Sequence, residues 1–269
     1  MSPSETGEAS VRVRKEPPPF RQVVVRRVES LSPRMIRVTF TGPDLEGFTV
    51  DKPASSVRLL LPSLGEQTLV VPAWQGNEFL LSDGQRPTIR TFTPRRVDPV
   101  ALELDLDIVV HDGGAASEWV VAAAPGHRAA VSGPGRGYSI DANASGFLLA
   151  GDETAIPAIS QLLEALPDRT PVDVIIEVAH KDARLTLPDH RDATVKWCDL
   201  PPGVPPGSAL ITAVRGARLE QGIRVWGAGE AAAMHRLRRY LFEDRGLART
   251  EATVRGYWKH GRGGEDNGE

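Results

Sequence analysis

The feature that most constrains the fold of this sequence is a change in its apolar pattern near residue 140. From 21 to about 137, short runs rich in Val, Ile, Leu, Thr and Phe are separated by Gly, Pro, Asp and Ser. After residue 144, brief apolar runs alternate with segments of helical spacing. Because these two patterns bury apolar surface in different ways, the chain is expected to build two different architectures.

In the first half, Leu102-Glu-Leu-Asp-Leu-Asp-Ile108 alternates apolar and polar residues, which predicts a strand with one apolar and one wet face. Many such short strands, with one short helical pattern at 117–124, favour a small antiparallel β-barrel. In the second half, the alternating apolar runs and helical patterns favour a parallel sheet with crossover helices. These segments are 147–150, 155–166, 172–178, 194–198, 223–226 and 231–244.

The predicted fold class is therefore β + α/β, with an N-terminal antiparallel barrel followed by a C-terminal parallel-sheet domain. Residues 1–19 are polar, mixed in charge and end in three prolines, which predicts a disordered leader. The barrel domain is expected over 20–140 and the α/β domain over 141–261. The Gly-rich residues 262–269 are expected to form a flexible tail.

Composition argues against several classes of function. A net charge of −3 argues against a general binder of nucleic acids or anionic membranes. The single cysteine, Cys198, excludes a disulfide framework, and the six His residues show no metal-ligand spacing, so no metal site is predicted. Without a run of about 20 apolar residues or a signal-like segment, the expectation is a cytoplasmic protein with no membrane insertion. A monomer without an obligate protein partner is the default.

Two glycine-containing turns lie between strands and helices of the second half. Gly227-Ala-Gly-Glu-Ala-Ala232 has the spacing of a dinucleotide-binding turn, but it follows a late strand, and a plain strand–helix turn fits equally well. Gly151-Asp-Glu-Thr154 forms the first such turn, where a nucleotide phosphate is usually bound. Since carboxylates repel phosphates, Asp152 or Thr154 is interpreted first as a helix cap and second as a ligand contact.

Two stretches of the first half have residues that suit a ligand with a planar ring or a pyrophosphate. In Arg90-Thr-Phe-Thr93, the arginine suits a phosphate, the ring suits stacking and the hydroxyls suit ring heteroatoms. An ordinary strand with one buried Phe is the alternative. Residues 111–119 form a small-residue turn that enters a helix, and Ser117 there suits a pyrophosphate, although a plain turn also fits.

Taken together, these stretches resemble the siderophore-interacting protein family, FAD-dependent ferric-siderophore reductases related to the ferredoxin-reductase fold. The resemblance spans about 21–261 and rests on Arg90-Thr-Phe-Thr-Pro-Arg95, 111–119, Gly133-Pro-Gly135, Gly151-Asp-Glu-Thr-Ala-Ile-Pro-Ala158, 226–230 and Gly256-Tyr-Trp-Lys259. Two departures are evident. Phe92 replaces the family's usual Tyr, and Asp112-Gly-Gly-Ala115 replaces a turn that commonly reads G-x-G-P.

The resemblance implies FAD and NADH or NADPH as cofactors. A nicotinamide would give hydride to the flavin, which would reduce a ferric siderophore and release iron(II) without any acid–base catalytic residue. By the family's pattern, the cofactor-binding residues are Arg90, Thr91, Phe92, Thr93, Asp107, Val109, His111, Ala115, Ala116, Ser117, Trp119, Asp152, Thr154, Gly227, Gly229, Glu230, Tyr257 and Trp258.

Since many ferric siderophores are anionic, a basic groove is expected to attract them. The substrate candidates are Lys52, Arg58, Lys259 and Arg262, with Lys259 favoured because it follows Tyr257-Trp258. Each is also consistent with an ordinary surface charge. Lys181 and Arg184 suit either a 2′-phosphate or solvent. Two other functions stay open: a flavin reductase or electron-transfer module with another acceptor, and a non-enzymatic siderophore-binding protein.

Overall fold

The computed structural model describes residues 16–63, 66, 68–111 and 113–261. Most of the expected leader, Asp112 and the whole expected tail therefore lie outside the described residues. The tail contains Arg262, so this substrate candidate has no structural description.

The described residues of the N-terminal half form nine strands, one α-helix and a short 3-10 turn at Pro43–Leu45. The strands and the α-helix are β1 (Arg21–Ser32), β2 (Met35–Thr41), β3 (Val57–Leu61), β4 (Ala73–Trp74), β5 (Phe79–Leu80), β6 (Thr88–Phe92), β7 (Pro94–Asp98), β8 (Glu103–Val109), α1 (Ala115–Val121) and β9 (Arg128–Ser132). Seven strands form one antiparallel sheet in the order β6-β3-β9-β1-β2-β8-β7, and β4 and β5 form a separate hairpin. Because the two edge strands, β6 and β7, are joined by Thr93 alone, the sheet curls round into a barrel.

The alternating segment forms β8, but its polar face is less exposed than the alternation predicts. Leu104 and Leu106 are fully buried in the barrel core, as expected. Asp105 and Asp107 on the opposite face are also buried. Arg37 of β2 covers that face and pairs with both oxygens of Asp107, at 2.6 and 2.8 Å. The predicted wet face is instead covered by neighbouring side chains.

The C-terminal half is a parallel sheet with helices. Its elements are β10 (Gly146–Asp152), α2 (Ile156–Ala165), β11 (Val172–Val178), β12 (Ala193–Asp199), α3 (Ser208–Arg215), β13 (Ile223–Glu230), α4 (Ala231–Arg239) and β14 (Ala252–Trp258). The strands follow the order β12-β11-β10-β13-β14 and all neighbours are parallel. The predicted fold class, β + α/β, is confirmed, whereas α3 and β14 were not predicted. The strand order reverses between β10 and β13, which creates a crevice at their carboxyl ends.

The barrel and the parallel sheet share one hydrophobic core. Met35 and Ala54 of the barrel half pack in the same buried cluster as Ile156 and Ile159 of α2. The Gln161 side chain of α2 also accepts a hydrogen bond of 2.9 Å from the backbone N–H of Ala54. This shared core fixes the barrel against the crevice of the parallel sheet.

The end of β11 holds the start of α3 through a buried carboxylate. Glu177 accepts hydrogen bonds from the backbone N–H groups of Gly207, at 2.6 Å, and Leu210, at 2.9 Å.

Replacing Glu177 with alanine leaves both N–H groups without that acceptor, so we expect the free energy of unfolding to fall by about 2–3 kcal/mol. Urea denaturation measures this. The exposed Glu220, replaced with alanine as control, should change it by less than about 0.5 kcal/mol. An equal loss in both variants would contradict the assigned role of Glu177.

Candidate functional site

A buried carboxylate joins the carboxyl ends of three parallel strands. Asp152, the last residue of β10, accepts hydrogen bonds from the backbone N–H of Thr154 at 2.9 Å and from its hydroxyl at 2.5 Å. It also accepts from the backbone N–H of Glu230 at 2.9 Å and from Nε1 of Trp258 at 2.7 Å. Burial raises the pKa of Asp152, and the donated hydrogen bonds oppose that rise. Asp152 therefore holds the ends of β10, β13 and β14 together.

The Gly227-x-Gly229 spacing has a packing reason within the protein. A Cβ atom at Gly229 would lie 2.5 Å from Oδ2 of Asp152, and one at Gly227 would lie 3.1 Å from Leu237 of α4. Glu230 caps α4 by accepting a hydrogen bond of 2.7 Å from the backbone N–H of Ala233. Gly229 therefore leaves room for the Asp152 carboxylate, and Gly227 leaves room for α4. Contact of either glycine with a nucleotide stays a prediction.

Glu153, which the sequence interpretation did not single out, ties the barrel to this crevice. Its buried carboxylate accepts from Nε of Arg34, in the turn between β1 and β2, at 2.8 Å. It also accepts from the backbone N–H of Ala179, just after β11, at 2.7 Å. The β1–β2 turn is therefore fixed beside the carboxyl ends of the parallel strands.

On the barrel side, strand alternation divides the residues of β6 between two faces. Arg90 and Phe92 lie two residues apart and share a face, opposite Leu59 and Val57 of β3. Phe92 packs against the barrel core, and burial lowers the pKa of the Arg90 guanidinium. Thr91 is exposed on the other face. An arginine and an aromatic ring thus lie together at the strand that leads to the domain junction.

The end of β14 bridges the two halves. The Tyr257 phenol faces Thr93, the buried residue between β6 and β7; burial raises the pKa of this phenol, and its polar neighbour Thr93 opposes that rise. Its ring meets the buried Trp226 of β13 edge-on, with centroids 6.4 Å apart. With Trp258 bound to Asp152, this strand end connects the barrel to the crevice. The predicted residues brought together here are Thr93, Asp152, Thr154, Glu230, Tyr257 and Trp258.

A pH dependence follows from Tyr257, because burial raises the pKa of its phenol. Above pH about 10, Tyr257 ionises in the unfolded chain while the folded protein keeps the proton, so its contribution to stability is lost as pH rises, by at most about 1.4 kcal/mol per unit. We expect the free energy of unfolding of Tyr257→Phe to fall less than that of the wild type between pH 9.5 and 11. Urea denaturation at several pH values measures the difference. The difference in free energy of unfolding between the two proteins should stay constant between pH 7 and 9. If that difference also stayed constant above pH 10, the prediction would be contradicted.

The residues of the predicted pyrophosphate turn form a second group. The backbone N–H of His111 donates to Oγ of the buried Ser117 at 3.2 Å. Trp119 stacks on Phe40 of the barrel core, with ring centroids 6.1 Å apart. Ala115 and Trp119 line a cavity of about 320 Å³. Ala116 packs against the barrel core on the same helix.

Asp107 and Val109, both on β8, have different surroundings. The Arg37 guanidinium occupies both oxygens of Asp107. Val109 packs against the shared core that Tyr257 also contacts. Their contact with a cofactor stays a prediction.

The basic candidates differ in how far their charges are neutralised. Lys52 is exposed and donates to Oγ of Ser139 at 2.8 Å, and Lys259 is exposed directly after Trp258. Arg58 of β3 is half-buried and burial lowers its pKa, yet among the described residues it has no carboxylate within 4.0 Å. Arg184 pairs with Asp199 at 2.6 Å. Arg58 is thus a desolvated, uncompensated charge opposite Thr91.

The described residues hold neither a metal-binding cluster nor a membrane-spanning helix. Residues 16–63, 66, 68–111 and 113–261 contain no group of three or more His, Cys, Asp or Glu residues placed to hold a metal ion. In the same part of the chain, no helix has the length and apolar character needed to span a bilayer.

Comparison with protein families matches nearly the whole chain. Residues 24–138 match a siderophore-interacting FAD-binding domain, and residues 144–261 match the siderophore-interacting protein model. Uncharacterized protein Rv2895c of Mycobacterium tuberculosis is 36% identical over 259 residues, covering 91% of this chain and 92% of its own. Ferric vibriobactin reductase ViuB of Vibrio cholerae is 28% identical over 243 residues, covering 89% of each.

Solved structures agree with these matches. A siderophore utilization protein from T. fusca superposes with a TM-score of 0.82 at 34% identity, covering 94% of this chain and 98% of its own. The ferredoxin reductase in carbazole 1,9a-dioxygenase has a TM-score of 0.63 at 13% identity, covering 89% of this chain and 69% of its own. At that identity the likeness shows the fold alone.

Proposed function

The chain belongs to the siderophore-interacting protein family, and from this premise we propose that it is a reductase that uses FAD to pass electrons from NADH or NADPH to a ferric siderophore. The observation that carries the proposal is the junction at which Tyr257 and Trp258 join Thr93 of the barrel to Asp152 of the parallel sheet. A flavin-binding barrel and a nucleotide-binding crevice have to meet at such a junction for electrons to pass between them.

The residues of the barrel fit FAD, which combines a planar ring system with a pyrophosphate. Phe92 offers an aromatic face, and the nearby Arg90 guanidinium is partly desolvated, which strengthens its attraction for a phosphate. The cavity beside α1, lined by Ala115 and Trp119, suits the adenine end. When bound, FAD supplies the exchange between hydride transfer and single-electron transfer. The protein's part is to hold and orient the reactants.

We place the nicotinamide nucleotide in the crevice between β10 and β13. Open α/β sheets bind nucleotides at the carboxyl ends of the strands where the order reverses, and Thr154, Gly229 and Glu230 lie there. One nicotinamide gives up two electrons as a hydride and a ferric centre takes one, so one NADH or NADPH would serve two ferric siderophores. Since Arg184 is already paired with Asp199, the exposed Lys181 is the freer candidate for a 2′-phosphate.

The substrate would be held by positive charge. Lys52, Arg58 and Lys259 are the candidates that the structure describes. The uncompensated charge of Arg58 is the strongest support for substrate binding by positive charge. An anionic chelate would supply the carbonyl, phenolate or hydroxamate oxygens that a guanidinium or ammonium group binds. We further propose that the protein acts in the cytoplasm, as a monomer and without an obligate protein partner.

The test is an anaerobic visible spectrum of the purified protein with FAD, to which NADH or NADPH and then ferric siderophores are added. We expect the flavin absorbance to bleach with one nicotinamide and to recover with a ferric siderophore, while a ferrous chelator reports iron(II). Bleaching without recovery would favour a module with another acceptor. Failure to bind added FAD would overturn the flavoenzyme proposal and favour a non-enzymatic siderophore-binding protein.

A further inference from the structure

An arginine-rich groove of about 510 Å³ lies beside β14, the edge strand of the parallel sheet. Its lining comes from β13, β14, α4 and the segment after it, the loop before β14 and the segment after the barrel. Five arginines and one acidic residue line it: Arg136, Arg224, Arg238, Arg249, Arg255 and Asp141. We call this feature the arginine groove.

The acidic residues near the arginine groove neutralise only one of the five charges. Asp141 and Glu251 both pair with Arg224, at 2.7 and 3.5 Å. In the part of the chain that the structure describes, the other four arginines have no carboxylate within 4.0 Å. The groove therefore keeps a strong positive charge.

Three of these four arginines are held in place by neutral groups. Arg238 donates two hydrogen bonds to the backbone carbonyl of Val254, at 3.1 and 2.6 Å. Arg255 donates to the carbonyls of Ala54, at 3.3 Å, and Arg136, at 3.1 Å. The Arg249 guanidinium lies 5.4 Å from the centre of the Phe242 ring. Such contacts orient a guanidinium and leave its charge available, which lowers the entropic cost of binding an anion.

The arginine groove is separate from the proposed electron-transfer site. The β14 residues that line it run from Ala252 to Arg255, whereas Trp258 at the other end of the strand contacts Asp152. With a rise of about 3.3 Å per residue, Trp258 lies about 20 Å from Ala252 and about 10 Å from Arg255, the last residue of β14 that lines the groove. A small ligand among Arg224, Arg238 and Arg249 would not reach the crevice.

We propose that the arginine groove binds a small oxyanion carrying at least two negative charges. Guanidinium groups present forked donors that match the paired oxygens of phosphates and carboxylates, and Thr250 adds a hydroxyl to the lining. The volume suits a metabolite with a pyrophosphate or several carboxylates rather than a single monovalent ion. This proposal does not depend on the electron-transfer activity.

The test is calorimetric titration of the full chain with pyrophosphate and with citrate, at an ionic strength held constant with sodium chloride. We expect saturable binding of at least one probe, and the stronger probe identifies the phosphate or the polycarboxylate class. Binding should weaken at least tenfold in Arg238→Gln/Arg249→Gln. The single variant Arg249→Gln, which alters an exposed side chain, should bind more weakly while its melting temperature stays unchanged.

The matched control is Arg239→Gln. Arg239 follows Arg238 on α4, but it pairs with the exposed Glu243 and does not line the arginine groove. We expect this variant to bind both probes as the wild type does, and we expect saturating FAD to leave their affinities unchanged. No saturable binding of either probe, equal binding by all variants, or competition by FAD would each overturn the proposal.

Discussion

Replacing Asp152 with alanine is expected to lower the free energy of unfolding by about 3–5 kcal/mol, the largest stability effect we predict. The carboxylate is buried and accepts four hydrogen bonds, from the N–H and hydroxyl of Thr154, the N–H of Glu230 and the indole of Trp258. Alanine removes the acceptor oxygens of all four hydrogen bonds at once and leaves a cavity next to Gly229. The ends of three strands would then lose their common anchor.

Urea denaturation followed by tryptophan fluorescence measures this effect. Asp152→Asn keeps one carbonyl oxygen as an acceptor, so we expect a smaller loss and a variant that still folds. Asp173→Ala is the matched control, because Asp173 is an exposed aspartate on the neighbouring strand β11 and should change stability by less than about 0.5 kcal/mol. If Asp152→Ala were as stable as this control, Asp152 would not be the anchor described.

The two architectures could be predicted because each depends on a local pattern. Strict alternation in 102–108 became β8, and the helical spacing in 155–166 became α2. The short helix α3 was missed because it follows a segment rich in Pro and Gly, whose composition predicts a loop. The strand β14 was missed because Gly256 and two polar residues interrupt its apolar pattern. The helix α3 is stabilised by packing against the sheet and β14 by pairing with β13, rather than by their own propensity.

The candidate site residues could be chosen from their residue types, but the residues that they contact in the fold could not be predicted. Thr93 and Tyr257, or Asp152 and Trp258, are more than one hundred residues apart in the chain, and no local pattern encodes such a distance. Gly229 shows the converse difficulty. Its spacing with Gly227 is typical of a phosphate-binding turn, yet the space beside it holds the Asp152 carboxylate. A glycine signals close approach, and only the structure shows what approaches.

Replacing Arg90 with alanine is expected to weaken FAD binding by about 10- to 150-fold. A hydrogen bond to a charged group contributes about 1.5–3 kcal/mol, which corresponds to that range of affinity. Burial lowers the pKa of Arg90, as expected for a guanidinium that has lost part of its water. A pyrophosphate bound beside it would interact strongly with this partly desolvated guanidinium. Alanine would remove both the charge and the forked donors.

Titration of the flavin-free protein with FAD, followed by quenching of flavin fluorescence, measures the affinity. Arg90→Lys keeps the charge without the planar fork, so its affinity should fall between those of the wild type and Arg90→Ala. Arg96→Ala is the matched control, since Arg96 lies on the adjoining strand β7, is exposed and pairs with Asp98 at 3.2 Å. Its FAD affinity should equal that of the wild type. Wild-type affinity in Arg90→Ala would remove Arg90 from the cofactor site. The turn at 111–119 would then be the next candidate for the pyrophosphate, because its residues Ala115 and Trp119 line the α1 cavity.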